Sequence, residues 1–303
     1  MSQQAAFGGA MPEGTLDALD ALNSLWNSGH PDGLPPVLGG LVGYIGWDAG
    51  RELEKLPQPP ATVHPVPRLS LALTKDLVIV DHHSSEVILV ALVHSQNAVT
   101  EEDYNEATSR VDTLHRLLRE PTASTLSRRH DPVEVSAPAN MTAADFVAMV
   151  EKAKVHITDG DVFQVVLSQR FDVDVKASPL EVYRVLRSLN PSPYMYLLEC
   201  EGADGVAFHV VGSSPEALVT VRDSRVYSHP IAGSRPRGHT SEEDSAIAQE
   251  LLADKKEQAE HLMLVDLARN DLSRVCQSGS VEVTEFMEVA LQPHHSSGEQ
   301  RGG

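Results

Sequence analysis

The stretch from Met141 to Val175 constrains the fold most, because it marks both ends of a helix and then changes its period. In MTAADFVAMVEKAKVHITDGD, Thr142 and Asp145 form a capping pair, and Phe146, Met149, Val150, Ala153 and Ile157 recur at helical spacing. Asp159 and Gly160 end that helix. VFQVVLSQRFDVDV then alternates, which predicts a strand with Phe163, Val165 and Leu167 on one face. Gln164, Val166, Ser168 and Arg170 take the other face, as in a strand flooring a pocket or one with a solvated side. SPLEVYRVLRSLNP predicts a second capped helix, with Ser178 as cap, Pro179 at its first position and Glu181 at its third. YMYLLEC, VAFHVV, EALVTVR and RVYS read as short strands, and Ser241 to Val275 as one long helix or a helix pair. Helices and strands in this irregular order predict an α+β fold rather than a doubly wound sheet.

The first half is patterned less strongly. Residues 1–36 are rich in Gly, Pro and Ala, with one helical stretch, TLDALDALNSLW, and are expected to be poorly ordered. Residues 37–119 read as an α+β part. It holds a glycine-punctuated strand, a helix from near Asp48 to Pro57 and strands around the turn DHHSS. It closes with a helix capped by Thr100 that carries acids in its first turn and bases in its last. Residues 120–140 are polar and aperiodic, the best linker candidate, and 141–289 form the better-patterned region.

Charge narrows the partners. Forty-three acids face 24 bases, a formal net charge of -19, which repels a phosphate backbone, and aromatics at 5% are too sparse for a base-stacking surface. Cys200 and Cys276 are too few for a disulfide framework and lack metal-site spacing. No apolar run is long enough to span a bilayer and no basic n-region opens the chain, so a soluble, unexported, cytoplasmic protein is expected.

In so acidic a chain, a small anionic ligand needs a locally basic or NH-rich turn. HPIAGSRPRG offers one: Gly233 permits close backbone approach, Ser234 adds a hydroxyl, and Pro236 stiffens Arg235 and Arg237. The same residues also suit a tight exit turn with solvated arginines. In DKKEQAEHLMLVDLARND, Glu257 and Glu260 lie three apart on one helical face, with His261 four beyond Glu257. Two such carboxylates suit Mg²⁺, which takes one or two acids plus water and an anionic substrate; equally they suit a solvated face balanced by Lys255 and Lys256. Zinc is disfavoured, since neither HExxH nor a Cys/His cluster is present. Asp266, Arg269 and Asp271 read as helix-end ion pairs.

Taken together, DGDVFQVVLSQRF, NPSPYMYLLE, GSSPEALV, PIAGSRPRG, KKEQAEHLMLVDLARNDLSRV and GSVEVTEFMEV resemble the chorismate-utilising enzymes, most closely the anthranilate synthase large subunits. The resemblance runs from about Gly39 to Val289 and also takes in GGLVGYIGWDAGRELEKLP. It implies an α+β fold of two intertwined subdomains with the active site between β-layers. It also implies conversion of chorismate and ammonia to anthranilate and pyruvate in tryptophan biosynthesis, a Mg²⁺ requirement and a glutamine amidotransferase partner that supplies ammonia. Members that use water usually carry lysine where Gln164 stands, and aminodeoxychorismate relatives usually carry it where Ala232 stands. Gln164 and Ala232 therefore favour ammonia, which is already nucleophilic. By the resemblance, Gly233 and Ser234 contact chorismate, Glu260 ligates Mg²⁺, and Glu257 lies near the metal. Glu216, Gln164 and Glu257 are the catalytic candidates, and Pro193, Tyr194 and Met195 line the tryptophan feedback site.

The chain departs from the family at both ends. After FMEV it reads ALQPHHSSGEQRGG, and residues 290–303 are expected to be a disordered, aberrant tail that a frameshift after Val289 would explain. The Leu-Leu-Glu-Ser segment that completes the tryptophan pocket is not visible. The chain is thus expected to be truncated, to hold half of the Mg²⁺ ligands, and to turn over weakly or not at all. The alternatives are another chorismate enzyme, such as an isochorismate or aminodeoxychorismate synthase, and a non-catalytic fragment that binds the amidotransferase.

Overall fold

The computed structural model describes residues 12, 14–26, 29, 31, 33–58, 64, 66–95, 97–121, 136–202 and 204–290. Most of the 120–140 linker and nearly all of the 290–303 tail lie outside them. The chain divides into two compact units, Met1–Leu126 with Leu198–Val210, and Ser127–Leu197 with Val211–Gly303.

In the first unit, helix α1 (Thr15–Trp26) is the stretch expected to be helical. Its first amides find a distant cap: the Glu52 carboxylate accepts from Thr15 N at 2.8 Å and Leu16 N at 3.3 Å. Strand β1 (Leu41–Ile45) pairs antiparallel with β2 (Leu69–Leu73), Leu41 opposite Leu73. Between them, Trp47–Glu52 forms a 3₁₀ helix rather than the expected helix from Asp48 to Pro57. With Gly50 inside it and Leu53 N bonded back to Gly50 O, the segment closes early. β3 (Asp76–Asp81) and β4 (Glu86–Ala91) make a hairpin around the expected turn, where the Asp81 carboxylate accepts from His83 N at 2.8 Å. Helix α2 (Glu101–Arg119) begins in a full capping box between Thr100 and Asp103. Its Arg110 donates to Asp76 at 2.9 Å, Glu106 at 2.9 Å and the Leu92 carbonyl at 2.6 Å, which ties the helix to the β3–β4 hairpin.

The second unit carries α3 (Ala143–Asp159) and α4 (Pro179–Leu189), each begun by the expected capping box. Gly160 ends α3 at φ 82, left-handed backbone that glycine adopts without strain. Strand β5 (Tyr194–Glu201) pairs with β6 (Ala207–Ser214), and their far end, Leu198–Val210, belongs to the first unit. The short pair β7 (Thr220–Arg222) and β8 (Arg225–Tyr227) follows, so EALVTVR contributes only its last three residues as strand. Ser241 to Val275 is a helix pair, α5 (Ser241–Ala253) and α6 (Lys255–Ser273), joined at the single residue Asp254.

The α+β class stands. One expected strand does not. Val162–Phe171 forms no ladder and pairs only at the isolated bridge between Ala139 and Phe171, flanked by Asn140 N to Arg170 O at 2.9 Å and Asp172 N to Pro138 O at 3.1 Å. A strand needs a neighbour for its amides and carbonyls, and among the described residues this one has none along most of its length. Both of its faces are therefore open, with Phe163 at 89% and Val166 at 86% exposure.

Burial is shallow throughout. Among the described residues the buried hydrophobic side chains are Ala18, Ala49, Ala107 and Val265. The apolar face of α3 follows the expected spacing, yet Phe146, Met149, Val150 and Ala153 are only half-buried and Ile157 is exposed.

Candidate active site

The strongest constellation lies within the second unit, where the loop His229–Gly238 runs against the junction of α5 and α6. Its shape starts at Gly233, whose φ of 55 is costly for any residue with a Cβ. A Cβ there would also lie 2.8 Å from Glu257 Oε2 and 3.1 Å from Leu251 Cδ1. Glycine thus meets two demands at once, a left-handed turn and a carboxylate lying against the backbone.

Both loop arginines are anchored. Arg235 donates through Nη1 to Glu257 Oε1 at 3.2 Å and to its own neighbour's carbonyl, Ser234 O, at 3.0 Å. Its Nη2 reaches Asp254 Oδ2 at 3.0 Å. Arg237 grips Asp244 on α5, with Nε at 3.1 and 3.0 Å from the two carboxylate oxygens. Asp244 also accepts from Gly238 N at 2.6 Å, and its hydrogen bonds hold the Arg237 guanidinium above its ordinary pKa. The arginines therefore stiffen the turn and neutralise the acids around it.

Asp254 does two jobs. It caps α6, its Oδ1 accepting from Lys256 N at 2.9 Å and Glu257 N at 3.3 Å, and its other oxygen holds Arg235. Sequence reasoning missed Asp254 and Asp244, although an aspartate directly before a helical run is a cap signal. Of its two readings of this helix face, one had Lys255 and Lys256 balance the acids. Among the described residues neither lysine makes an ion pair, and the balancing cation is Arg235.

A cavity of about 690 Å³ opens here, lined by Gly233, Ser234, Arg235, Glu257 and His261 among others. His261 packs against Phe286 with ring centroids 5.8 Å apart. This corner offers an amide-and-hydroxyl turn, an imidazole and a carboxylate within a space of ordinary ligand size.

The other candidates are not gathered into it. Glu260, half-buried on α6, does not line the cavity and makes no hydrogen bond or ion pair among the described residues. Glu216 is exposed; its carbonyl accepts from Ser214 Oγ at 2.9 Å while its side chain stays outside the cavity. Gln164 is exposed on the unpaired segment, and Pro193, Tyr194 and Met195 open β5. Asp266 and Arg269 pair at 3.4 Å, but among the described residues Asp271 forms no side-chain pair.

Comparison with known proteins decides the family. The family described as chorismate binding enzyme matches residues 6–294. The chain belongs to it. Among its relatives, the anthranilate synthase component 1 of Arthrobacter globiformis is 48% identical over 276 residues, covering 87% of this chain and 51% of that protein. The Mycolicibacterium smegmatis protein of the same name is 45% identical over 300 residues, covering 96% and 57%. The crystal structure of anthranilate synthase component I from Streptococcus pneumoniae TIGR4 superposes with a TM-score of 0.78 at 33% identity, over 92% of this chain and 60% of that one. The chain thus spans somewhat more than half the length of these relatives.

The expected Mg²⁺ can be tested against the residues present. Among the described residues no group of three or more His, Cys, Asp or Glu is placed to hold a metal. Glu257 already has a cation in Arg235, and Glu260 is the only other acid expected as a ligand. These residues do not by themselves fit a Mg²⁺ cage. Among the described residues, no helix is long and apolar enough to cross a membrane.

Proposed function

We propose that this chain is part of an anthranilate synthase large subunit. The complete protein converts chorismate and ammonia to anthranilate and pyruvate in tryptophan biosynthesis, in the cytoplasm, with ammonia drawn from glutamine by a partner amidotransferase. The observation that carries the reading is the corner at Gly233. In a chain 48% identical to a protein of that name, a left-handed glycine, a serine hydroxyl and an arginine-held glutamate meet at one cavity.

In this reading the Gly233 amide and the Ser234 hydroxyl donate to a substrate carboxylate, and Arg235 and Arg237 hold that turn. Gln164 takes its catalytic place when Val162–Phe171 gains a strand partner, and Glu216 is the second catalytic candidate. The absence of lysine at Gln164 and Ala232 favours ammonia over water as nucleophile. Pro193, Tyr194 and Met195 belong to the tryptophan feedback site. Mg²⁺ is the cation of the complete enzyme, with Glu260 as its unengaged carboxylate here; no step is assigned to it in this chain. The exposed apolar faces are the surface that the rest of such a subunit would cover.

The test mixes the purified chain with the part of the Arthrobacter globiformis relative that it does not span, then adds chorismate, ammonium and Mg²⁺ and follows anthranilate fluorescence. The chain alone is expected to give little or no product and the mixture a clear gain. Isochorismate or aminodeoxychorismate as the product would assign the chain to a different chorismate enzyme. Near-normal turnover by the chain alone would overturn the expectation that it is weakly active or inactive.

A further inference from the structure

Glu257 and Glu260 share a helical face but have different company. Glu257 is 17% exposed in its side chain and faces a guanidinium; Glu260 has no partner among the described residues. Arg235 also holds Asp254, which is 34% exposed in its side chain, so two carboxylates converge on one planar cation that is itself 27% exposed. Its bond to the Ser234 carbonyl closes a ring from turn to guanidinium to helix. We propose that Arg235 is the resident cation of the Asp254–Glu257 pair, and that Glu257 is a positioning residue for the Gly233 turn rather than a metal ligand.

Without the guanidinium, Asp254 Oδ2 and Glu257 Oε1 would face each other across the space it fills, and like charges so placed require a cation or a proton. A guanidinium satisfies both acceptors through its fixed fork, and it is tethered, so no free ion has to be captured. Arg237 and Asp244 repeat the arrangement on α5, and together the two arginines strap the loop to both helices across their junction. This assignment goes beyond the chorismate reading and does not depend on it.

The experiment uses Mn²⁺ as the probe. Binding is read by electron paramagnetic resonance, and amide exchange over His229–Gly238 by mass spectrometry, on the full chain. With Arg235 retained, E257Q is expected to leave Mn²⁺ binding as in the parent while exchange of the loop rises. R235Q is expected to bind Mn²⁺ at least about tenfold more tightly than the parent, because the vacated carboxylates accept it. Added Mn²⁺ should slow the loop's exchange in R235Q, and R235Q/E257Q should lose the gained site. R235K, which keeps the charge and loses the fork, should fall between R235Q and the parent in exchange and gain no Mn²⁺ site. A merely structural arginine would give faster exchange without new metal binding, and that outcome would overturn the proposal. So would loss of Mn²⁺ binding in E257Q, or unchanged loop exchange in both single variants.

Discussion

Replacing Gly233 with alanine tests the corner most directly, because the structure gives its cost two separable parts. Left-handed backbone costs a residue with a Cβ about 1–2 kcal/mol. The new methyl would also lie 2.8 Å from Glu257 Oε2, so that carboxylate must move. Moving it loosens a charged hydrogen bond to Arg235 that, discounted for partial exposure and for the Asp254 contact that survives, adds about 1–2 kcal/mol. G233A should therefore cost about 2–4 kcal/mol. Gly160 supplies the control: its φ is 82 and nothing lies within 4 Å of its would-be Cβ, so G160A should cost only the backbone part. Urea titrations of G233A, E257A and the double variant complete the comparison. In the E257A background the clash with the carboxylate vanishes while the 3.1 Å approach to Leu251 Cδ1 remains, which leaves a coupling of about 1 kcal/mol between the two sites. Equal costs for G233A with and without Glu257 would refute the claim that the carboxylate lies against the turn.

Two further expectations concern pH. Burial, followed by Arg110 and Lys75, lowers the pKa of His94, which meets Trp26 edge to face at 5.3 Å. Its contribution to stability is full above the unfolded value of about 6.5 and is lost as pH falls below that toward the folded value. Thermal melts across that range should show a decline that H94Q flattens; an unchanged slope in H94Q would remove His94 as the cause. The Thr142 hydroxyl and amide lower the pKa of Asp145 in its capping box, so that box is intact above about pH 3.9 and lost as pH falls through the lower folded value. D145N should blunt the acid loss of helical circular dichroism, and T142A should cost about 1 kcal/mol at neutral pH. A T142A variant as stable as the parent would deny the box any energetic weight.

Much of the local structure was legible because its causes are local. Thr100, Thr142 and Ser178 cap their helices through residues three positions on, and Gly160 stops α3 through its own backbone. The turn after Asp81 likewise closes within three residues. Val162–Phe171 misled because alternation reports what a strand's two faces would be, while forming one requires a second strand that no local pattern supplies. The 3₁₀ helix at Trp47 has the same lesson in miniature, since apolar spacing does not tell three residues per turn from 3.6.

The site divides in the same way. The sequence alone determined that Glu257 and Glu260 occupy one helical face, that Gly233 permits a tight turn, and that two arginines stand beside it in a chain of charge -19. Only the tertiary structure decided which acids: Arg235 reaches 19 and 22 residues along the chain to Asp254 and Glu257, past the nearer Lys255 and Lys256. It also separated the two glutamates, pairing one and leaving the other open. Helical periodicity sets the direction in which a side chain points, but what stands in that direction depends on the path of the rest of the chain.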